Sequence, residues 1–322
     1  MAKVFQELAD ERTTVMFHAE MVPSVADDVS SSIPSQEPNG PSNHYQTFLD
    51  SRPSTYETHA VHEILSLAHI APKLPLHIVH LSAIEAIPLL REARAKGIPI
   101  TAETCFHYLS LAAEEVAHGD TRHKCCPPIR SQSNQNGLWE ELAQPDDSVI
   151  KTIVSDHSPC TPKLKLLPSH INGSVPPSDP NSTDTVGDFL ASWGGISSVG
   201  LGLPILWTQI TSPTSLPSTR SVTLPQVIQW CAVNTAAQVG LQHTKGRLAV
   251  GYDADVAVFD DVAEWIVTGK EMLFRNKCSP YEGRKMRGRV RETWVRGRRV
   301  WNLDEGFGKE PVGRLIVEER TS

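Results

Sequence analysis

The sequence predicts an α/β protein made of strand–helix units of a (β/α) barrel, followed by a small β domain. Short apolar runs alternate with helical patterns over residues 14–156, which is typical of a parallel sheet with crossover helices. From residue 246 onward the pattern changes to short, glycine-rich alternating strands. Polar residues also end each predicted parallel strand, where such barrels carry their functional groups.

The predicted elements follow one another along the chain. Apolar runs predict buried strands at 14–18, 75–82, 98–105 and 150–156. Helical spacing of apolar residues predicts helices at 3–12, 59–69, 84–96, 136–142 and 224–239. Gly97 is the expected stop of the third of these helices.

The number of units limits the architecture. We find about four strand–helix units, whereas a complete barrel of this type has about eight. We therefore expect a partial barrel over residues 1–243, with a Pro-, Ser- and Asn-rich loop insertion at about 163–188. We expect a small β domain over 244–322, part of a composite sandwich, with a hairpin turn at Arg296-Gly-Arg.

Composition excludes several classes of protein. The 322 residues are 39% hydrophobic and 21% charged, which is typical of a globular protein. The net charge of −7 argues against a nucleic-acid-binding protein. No apolar run reaches the roughly 18 residues that a membrane helix needs. Six cysteines, two of them adjacent at Cys125 and Cys126, suit reduced thiols and a cytoplasmic location.

One basic stretch leaves two interpretations open. Residues 284–299 carry eight Lys and Arg residues, which could form a nucleic-acid patch or the wet face of a β-hairpin. The interleaved Val290, Trp294 and Trp301, together with the acidic net charge, favour the hairpin.

Three strand-end residues are candidate metal ligands. His18, His80 and Asp156 each end a predicted strand, and imidazole nitrogen and carboxylate oxygen are the usual zinc ligands. The alternative for each is a hydrogen-bonded structural residue. His107 could orient a substrate or a ligand, or pack against Tyr108 as a structural pair. His157 follows Asp156 directly, so strand alternation gives it a supporting role.

A series of motifs adds a family resemblance. In order, the chain contains Val79-His-Leu-Ser, Glu103-Thr-Cys-Phe-His-Tyr-Leu, Lys124-Cys-Cys-Pro-Pro-Ile-Arg, Val154-Ser-Asp-His-Ser-Pro-Cys, Trp193-Gly-Gly-Ile-Ser-Ser and Lys245-Gly-Arg-Leu-Ala-Val-Gly-Tyr-Asp-Ala-Asp-Val. This series resembles the cyclic amidohydrolases, and within them the allantoinase branch more than dihydroorotases or dihydropyrimidinases. The resemblance covers nearly the whole chain outside the 163–188 insertion.

The resemblance implies a fold, a reaction and a site. It implies the C-terminal half of a (β/α)8 barrel with part of a β-sandwich, two zinc ions, and hydrolysis of the hydantoin ring of allantoin to allantoate. His18, His80 and Asp156 match the ligands of the fifth, sixth and eighth strands, and Asp156 also matches the family's acid/base. Cys126 and Asn234 fall where the family binds the substrate ring, largely through backbone groups.

Two parts of the family pattern are missing. The family places a His-x-His pair and a carboxylated Lys upstream of the fifth-strand ligand, and no His-x-His occurs in this sequence. We therefore expect these 322 residues alone to bind little zinc and to be inactive. The chain is expected to be a fragment of a complete allantoinase. One alternative is a truncated, non-catalytic paralogue that binds or assembles with a partner. The other is a binding protein that reuses the barrel half.

The expected partners follow from the same resemblance. The expected partner is a small-molecule substrate, allantoin. We expect no binding to nucleic acid or to a membrane. The chain is also a candidate homo-oligomer. The alternative enzymatic activity is that of a dihydropyrimidinase or hydantoinase.

Overall fold

A computed structural model describes residues 1–23, 38–144, 147–169, 171 and 186–317. The described residues form two four-stranded sheets with helices packed around them. The strands are β1 (Val15–Phe17), β2 (Leu76–Ile78), β3 (Ile100–Cys105), β4 (Ile150–Val154), β5 (Val256–Ile266), β6 (Lys285–Val295), β7 (Arg298–Asn302) and β8 (Gly306–Phe307). The helices are α1 (Ala2–Leu8), α2 (Tyr45–Asp50), α3 (Thr55–Leu67), α4 (Ile87–Ala95), α5 (Gln132–Leu142), α6 (Gly202–Thr211), α7 (Pro217–Arg220), α8 (Leu224–Ile228) and α9 (Asn234–Gln238).

The first sheet is parallel, and its strands follow the chain order β1-β2-β3-β4. Helices connect successive strands, because parallel neighbours need a crossover. β2 is buried along its whole length and β3 along nearly all of it, and their apolar residues, among them Leu76, Ile78 and Ile100, form the core with the helices. The α/β class and the parallel sheet are confirmed, whereas the assignment to half of a barrel stays a prediction.

The predicted elements of the first sheet are all present, with shifted ends. The helix expected from residue 59 begins at Thr55. The helix expected from residue 136 begins at Gln132. Its N-cap is Ser131, whose side chain accepts a hydrogen bond from Asn134 N. The helix expected over 224–239 is interrupted by a π-helical turn at Gln229–Val233. Most of the predicted 163–188 insertion lies outside the described residues.

A buried carboxylate fixes the turn that follows β2. Glu57 on α3 accepts hydrogen bonds from Ser82 N at 2.9 Å and Ala83 N at 3.1 Å through Oε2. Its Oε1 accepts from Ser82 Oγ at 2.8 Å and from Arg130 Nη2 at 2.6 Å. Both charged side chains are buried, with 1% of Glu57 and 8% of Arg130 exposed.

Helix α5 holds the same turn from the other side. Asn134 donates to Ser82 O at 2.8 Å and accepts from Ile84 N at 3.0 Å. Side chains from α3, from α5 and from the loop that precedes α5 hold this turn. They pair backbone N–H and C=O groups that would otherwise be buried without hydrogen bonds. The turn is therefore hydrogen-bonded from both sides.

The second sheet is antiparallel, in the order β5-β6-β7-β8. Its β6–β7 hairpin turns at Arg296 and Gly297, which both have positive φ as the two central residues of a tight hairpin require. The sheet packs against α6, where the ring of Phe259 contacts Trp207 edge to face. A Cβ at Gly288 would lie 2.3 Å from the Phe259 ring, so only glycine fits there.

Two further sequence expectations concern thiols and membranes. All six cysteines are free thiols, as the absence of a disulfide framework predicts. Among the described residues, none of the helices combines the length and apolar character that crossing a bilayer demands.

We predict that Glu57→Gln lowers the free energy of unfolding by about 3–5 kcal/mol, because it leaves the buried Arg130 charge without its counterion. Urea unfolding measures this change. The matched control is Glu92→Gln, which removes the exposed partner of Lys96 and should leave stability unchanged. Equal effects of the two substitutions would contradict the role given to Glu57.

Candidate active site

Two predicted ligands meet at the carboxyl edge of the first sheet. His18 follows β1, and His80 lies two residues beyond β2, the adjacent parallel strand. His18 Nδ1 lies 2.8 Å from His80 Nε2. The two imidazole rings meet edge to face, with their centroids 4.5 Å apart. The structure thus brings together His18 and His80 through adjacent strand ends.

Asp156 shares this edge two residues after β4, on the far side of β3. Its side chain is exposed. Its charge acts on His80 and favours the protonated form of that imidazole. Asp156 therefore lies within electrostatic reach of His80.

Strained backbone marks two of these three residues. Among the described non-glycine residues, positive φ occurs at His80 (40°), Asp156 (41°), Leu166 (52°) and Arg296 (46°). This left-handed conformation is unfavourable for residues with a Cβ, and it is often found at functional sites. Two of the four residues are predicted ligands, which supports a functional edge at the ends of β2 and β4.

The protonation state of His80 suits metal binding. Burial lowers the pKa of His80, the neighbouring His18 lowers it further, and Asp156 offsets part of this decrease. His80 is therefore held toward the neutral imidazole, the form that binds metal ions. Its Nδ1 is buried without a hydrogen-bond partner.

These residues fit part of a metal site. His18 Nδ1 and His80 Nε2 are hydrogen-bonded to each other, and imidazole nitrogen is a ligand type that zinc prefers. Within the described ranges, however, no group of three or more His, Cys, Asp or Glu side chains could hold a metal ion. The donor set supplied by these residues is incomplete.

A cavity of about 530 Å³ is lined by Glu20, whose Oε2 lies 3.5 Å from His18 Nε2. Cys126 lines it and is partly exposed there. Burial raises the pKa of the Cys126 thiol, and nearby Arg52 opposes this increase. The remaining lining residues are Val22, Phe48, Ser51, Arg52, Tyr56, Lys124, Leu190 and Gly194. Cys126 thus lies on the wall of a cavity adjoining the histidine pair.

Glu20 and Arg52 form an ion pair in this cavity that the sequence analysis missed. Arg52 Nη1 donates to Glu20 Oε2 at 2.6 Å, and the same oxygen lies 3.5 Å from His18 Nε2. Burial opposes ionisation of Glu20, but His18 and Arg52 outweigh it and hold the pKa of Glu20 below its ordinary value. The sequence signal was present, because Glu20 belongs to the same polar strand end as His18.

Two buried lysines hold the loop opposite Cys126. Lys124 Nζ donates to Leu190 O and Ser192 O, and burial lowers its pKa to about 8. Lys165 Nζ donates to Trp193 O at 3.1 Å and Gly195 O at 2.7 Å. A Cβ at Gly195 would lie 2.4 Å from Ser158 O, so a glycine is required where this loop meets the end of β4.

His107 is fully buried beside Tyr108, with ring centroids 4.2 Å apart. Neither ring nitrogen has a hydrogen-bond partner. Burial lowers the pKa of His107 to about 3, and the charge of His80 contributes to this decrease. The packing contact with Tyr108 is the structural alternative that the sequence left open.

His157 is held by backbone amides and an aromatic ring. Its Nδ1 accepts from Ser198 N at 3.0 Å and Val199 N at 3.1 Å, and its ring packs against Phe274. These contacts tie the 196–199 loop to the end of β4, in agreement with a supporting role.

Asn234 lies at the opposite end of the sheet. Its side-chain amide donates to Lys151 O at the beginning of β4 and lines a separate cavity of about 560 Å³ with Thr14 and Pro75, which precede β1 and β2. The expectation that Asn234 lines the same site as Cys126 is therefore wrong. A helix that starts beside the amino end of β4 cannot bring its first residue to the carboxyl end.

Known proteins resemble this chain in sequence. A sequence model of the amidohydrolase family matches residues 201–301. An allantoinase of Saccharomyces cerevisiae is 44% identical over 97% of this chain and 60% of its own length. An allantoinase of Streptomyces avermitilis is 38% identical over 85% of this chain and 54% of its own length. The chain spans about half to three-fifths of these relatives.

Solved structures show a similar fold. A D-hydantoinase (dihydropyrimidinase) from Thermus sp. superposes with a TM-score of 0.76 at 22% identity, covering 99% of this chain and 63% of that one. An L-hydantoinase from Arthrobacter aurescens has a TM-score of 0.73 at 22% identity, covering 95% and 61%. At this identity the likeness concerns the fold alone.

We predict that stability falls as the pH decreases from about 6.5 toward 3, because His107 is protonated in the unfolded chain but not in the folded one. His107→Met removes this titration, so its unfolding free energy should depend less on pH. Urea unfolding between pH 4 and 7 measures both slopes. Identical slopes for the two proteins would contradict the buried, neutral state of His107.

Proposed function

Because the chain belongs to the amidohydrolase family and is homologous to allantoinases along nearly its whole length, we propose that it forms part of an enzyme that hydrolyses allantoin to allantoate. The observation that carries this proposal is the pair His18 and His80, 2.8 Å apart, beside a cavity lined by Cys126. A hydrolase of a cyclic amide needs a metal-type donor set next to a pocket that holds the ring.

We propose distinct roles for the residues at this edge. His18, His80 and Asp156 would hold zinc, which when bound polarises a ring carbonyl and lowers the pKa of water. Asp156 is exposed at the strand end and can accept a proton from the attacking water. It can then return that proton to the ring nitrogen, which must be protonated to leave. The backbone around Cys126 would orient the ring.

The incomplete donor set limits what these residues do alone. The described residues offer no full metal-binding group, and the sequence contains no His-x-His pair. We therefore propose that the 322 residues on their own bind little zinc and turn over little substrate. The incomplete set of metal ligands favours one alternative, in which the chain is a non-catalytic binding or assembly partner.

Hydantoinase or dihydropyrimidinase activity is the second enzymatic candidate. It is supported by the fold shared with hydantoinases. The allantoinase relatives support allantoin more strongly, because their identity to this chain reaches 44%.

Further proposals follow from the same relationship. We propose a division into residues 1–243 and 244–322, a cytoplasmic location, and self-association as a homo-oligomer. Allantoin is the proposed partner, and nucleic acids and membranes are not.

We predict that the purified chain binds allantoin more tightly than dihydrouracil, as titration calorimetry measures, because the cavity beside His18 belongs to an allantoin site. In the same preparation with excess zinc, allantoate formation should stay close to background. Tighter binding of dihydrouracil would favour the hydantoinase alternative. Rapid ring opening would contradict the limit set by the incomplete donor set.

A further inference from the structure

One carboxylate oxygen contacts both an arginine and a predicted metal ligand. Glu20 Oε2 accepts from Arg52 Nη1 at 2.6 Å and lies 3.5 Å from His18 Nε2. The side chain of Glu20 is only 3% exposed, so the carboxylate is held inside the protein next to His18. The hydrogen bond from Arg52 fixes where Oε2 lies, because the planar guanidinium presents its N–H groups in set directions.

The opposite nitrogen of the same ring contacts the second predicted ligand. His18 Nδ1 lies 2.8 Å from His80 Nε2, which is a hydrogen-bond distance. Either nitrogen could donate in this contact, because a neutral imidazole can carry its proton on Nδ1 or on Nε2. His18 therefore has a carboxylate at one ring nitrogen and a second imidazole at the other.

The carboxylate distinguishes between the two tautomers of His18. A proton on His18 Nε2 turns an N–H group toward Glu20 Oε2, which is an attractive contact. A proton on Nδ1 would instead turn the lone pair of Nε2 toward the negative oxygen, which is a repulsive contact. His80 does not distinguish between them, since its Nε2 can donate or accept. The partner of one ring nitrogen commonly decides where a histidine carries its proton.

We propose that Glu20, oriented by Arg52, is a positioning residue that keeps the proton of His18 on Nε2 and leaves Nδ1 as the metal-binding atom. In the metal-free chain, His80 Nε2 then donates to His18 Nδ1. Carboxylates that accept from the outer N–H of a metal-binding histidine fix its tautomer and its ring orientation. The inference rests on the proposed function, in which His18 binds zinc, and gives a role to two residues outside the proposed ligand set.

The test locates the imidazole protons of the whole chain before metal is added. Long-range ¹H–¹⁵N NMR spectra of the histidine-labelled chain distinguish a protonated ring nitrogen from a bare one. They are recorded at about pH 8, where an ordinary imidazole is neutral. A His18→Gln variant assigns the His18 signals. His18 should carry its proton on Nε2 alone, whereas the exposed His62 should show both tautomers and serves as the internal reference.

Two substitutions of Glu20 should separate its charge and its acceptor from its bulk. In Glu20→Leu no carboxylate opposes a bare Nε2, so His18 Nδ1 can donate to His80 Nε2 and the Nδ1-protonated tautomer should become detectable. Glu20→Gln keeps an oxygen acceptor for Arg52 and His18 and should retain the original tautomer. If Glu20→Leu does not fold, the spectrum of the unsubstituted chain still decides, because it shows directly which nitrogen is protonated.

Glu141→Leu is the matched control. The Glu141 side chain is likewise 3% exposed and pairs with a partly exposed arginine, Arg91. Its other oxygen accepts from Val149 N at 2.7 Å. This variant should leave the tautomer of His18 unchanged, so it separates positioning by Glu20 from a general effect of removing a buried carboxylate.

A zinc titration connects the tautomer with the proposed function. Excess zinc should shift the ¹⁵N signal of His18 Nδ1 and leave the proton on Nε2.

A proton on His18 Nδ1 in the unsubstituted chain, or a tautomer that Glu20→Leu does not change, would overturn the role of Glu20 and leave the proposed function standing. Zinc that shifts neither ring nitrogen would overturn the metal-binding part of the proposed function, and with it the assignment of Nδ1 as the metal-binding atom.

Discussion

The buried carboxylate of Glu57 is the interaction on which the rest of the site depends. It binds two backbone N–H groups of the turn after β2 and the guanidinium of Arg130. Because His80 lies two residues before Ser82, the same contacts fix where the chain leaves β2 and where the imidazole points. Backbone hydrogen bonds from Val79 N to Phe17 O and from Leu81 N to Glu103 O hold the residues on either side of His80, and the Glu57 contacts extend this support into the turn.

The candidate site combines this fixed turn with less constrained parts. His18 meets His80 because parallel neighbours end at the same edge. The loop at residues 190–195, which Lys124 and Lys165 hold, and the Glu20–Arg52 pair line a cavity near that edge. Left-handed backbone at His80 and Asp156 lies at the ends of β2 and β4, the edge where the candidate site is found.

The sequence predicts the strand ends better than it predicts the cavity. Short apolar runs located β1 to β4, and the polar residue after each strand identified His18, His80 and Asp156. The Glu20–Arg52 pair was missed because Arg52 comes from the segment between α2 and α3, and no periodicity links that segment to the end of β1. Asn234 was misplaced because a motif match gives order along the chain, not the end of the sheet at which a helix begins.

The most direct measurement of the central claim is hydrogen exchange of the amides of Ser82 and Ala83. Ser82 and Ala83 belong to no strand or helix. Both of their amides nevertheless donate to the buried Glu57 carboxylate. We expect both amides to exchange as slowly as the core strand amides of β3. Exchange as fast as that of an exposed loop would contradict it, because His80 would then lack the fixed turn that directs it toward His18.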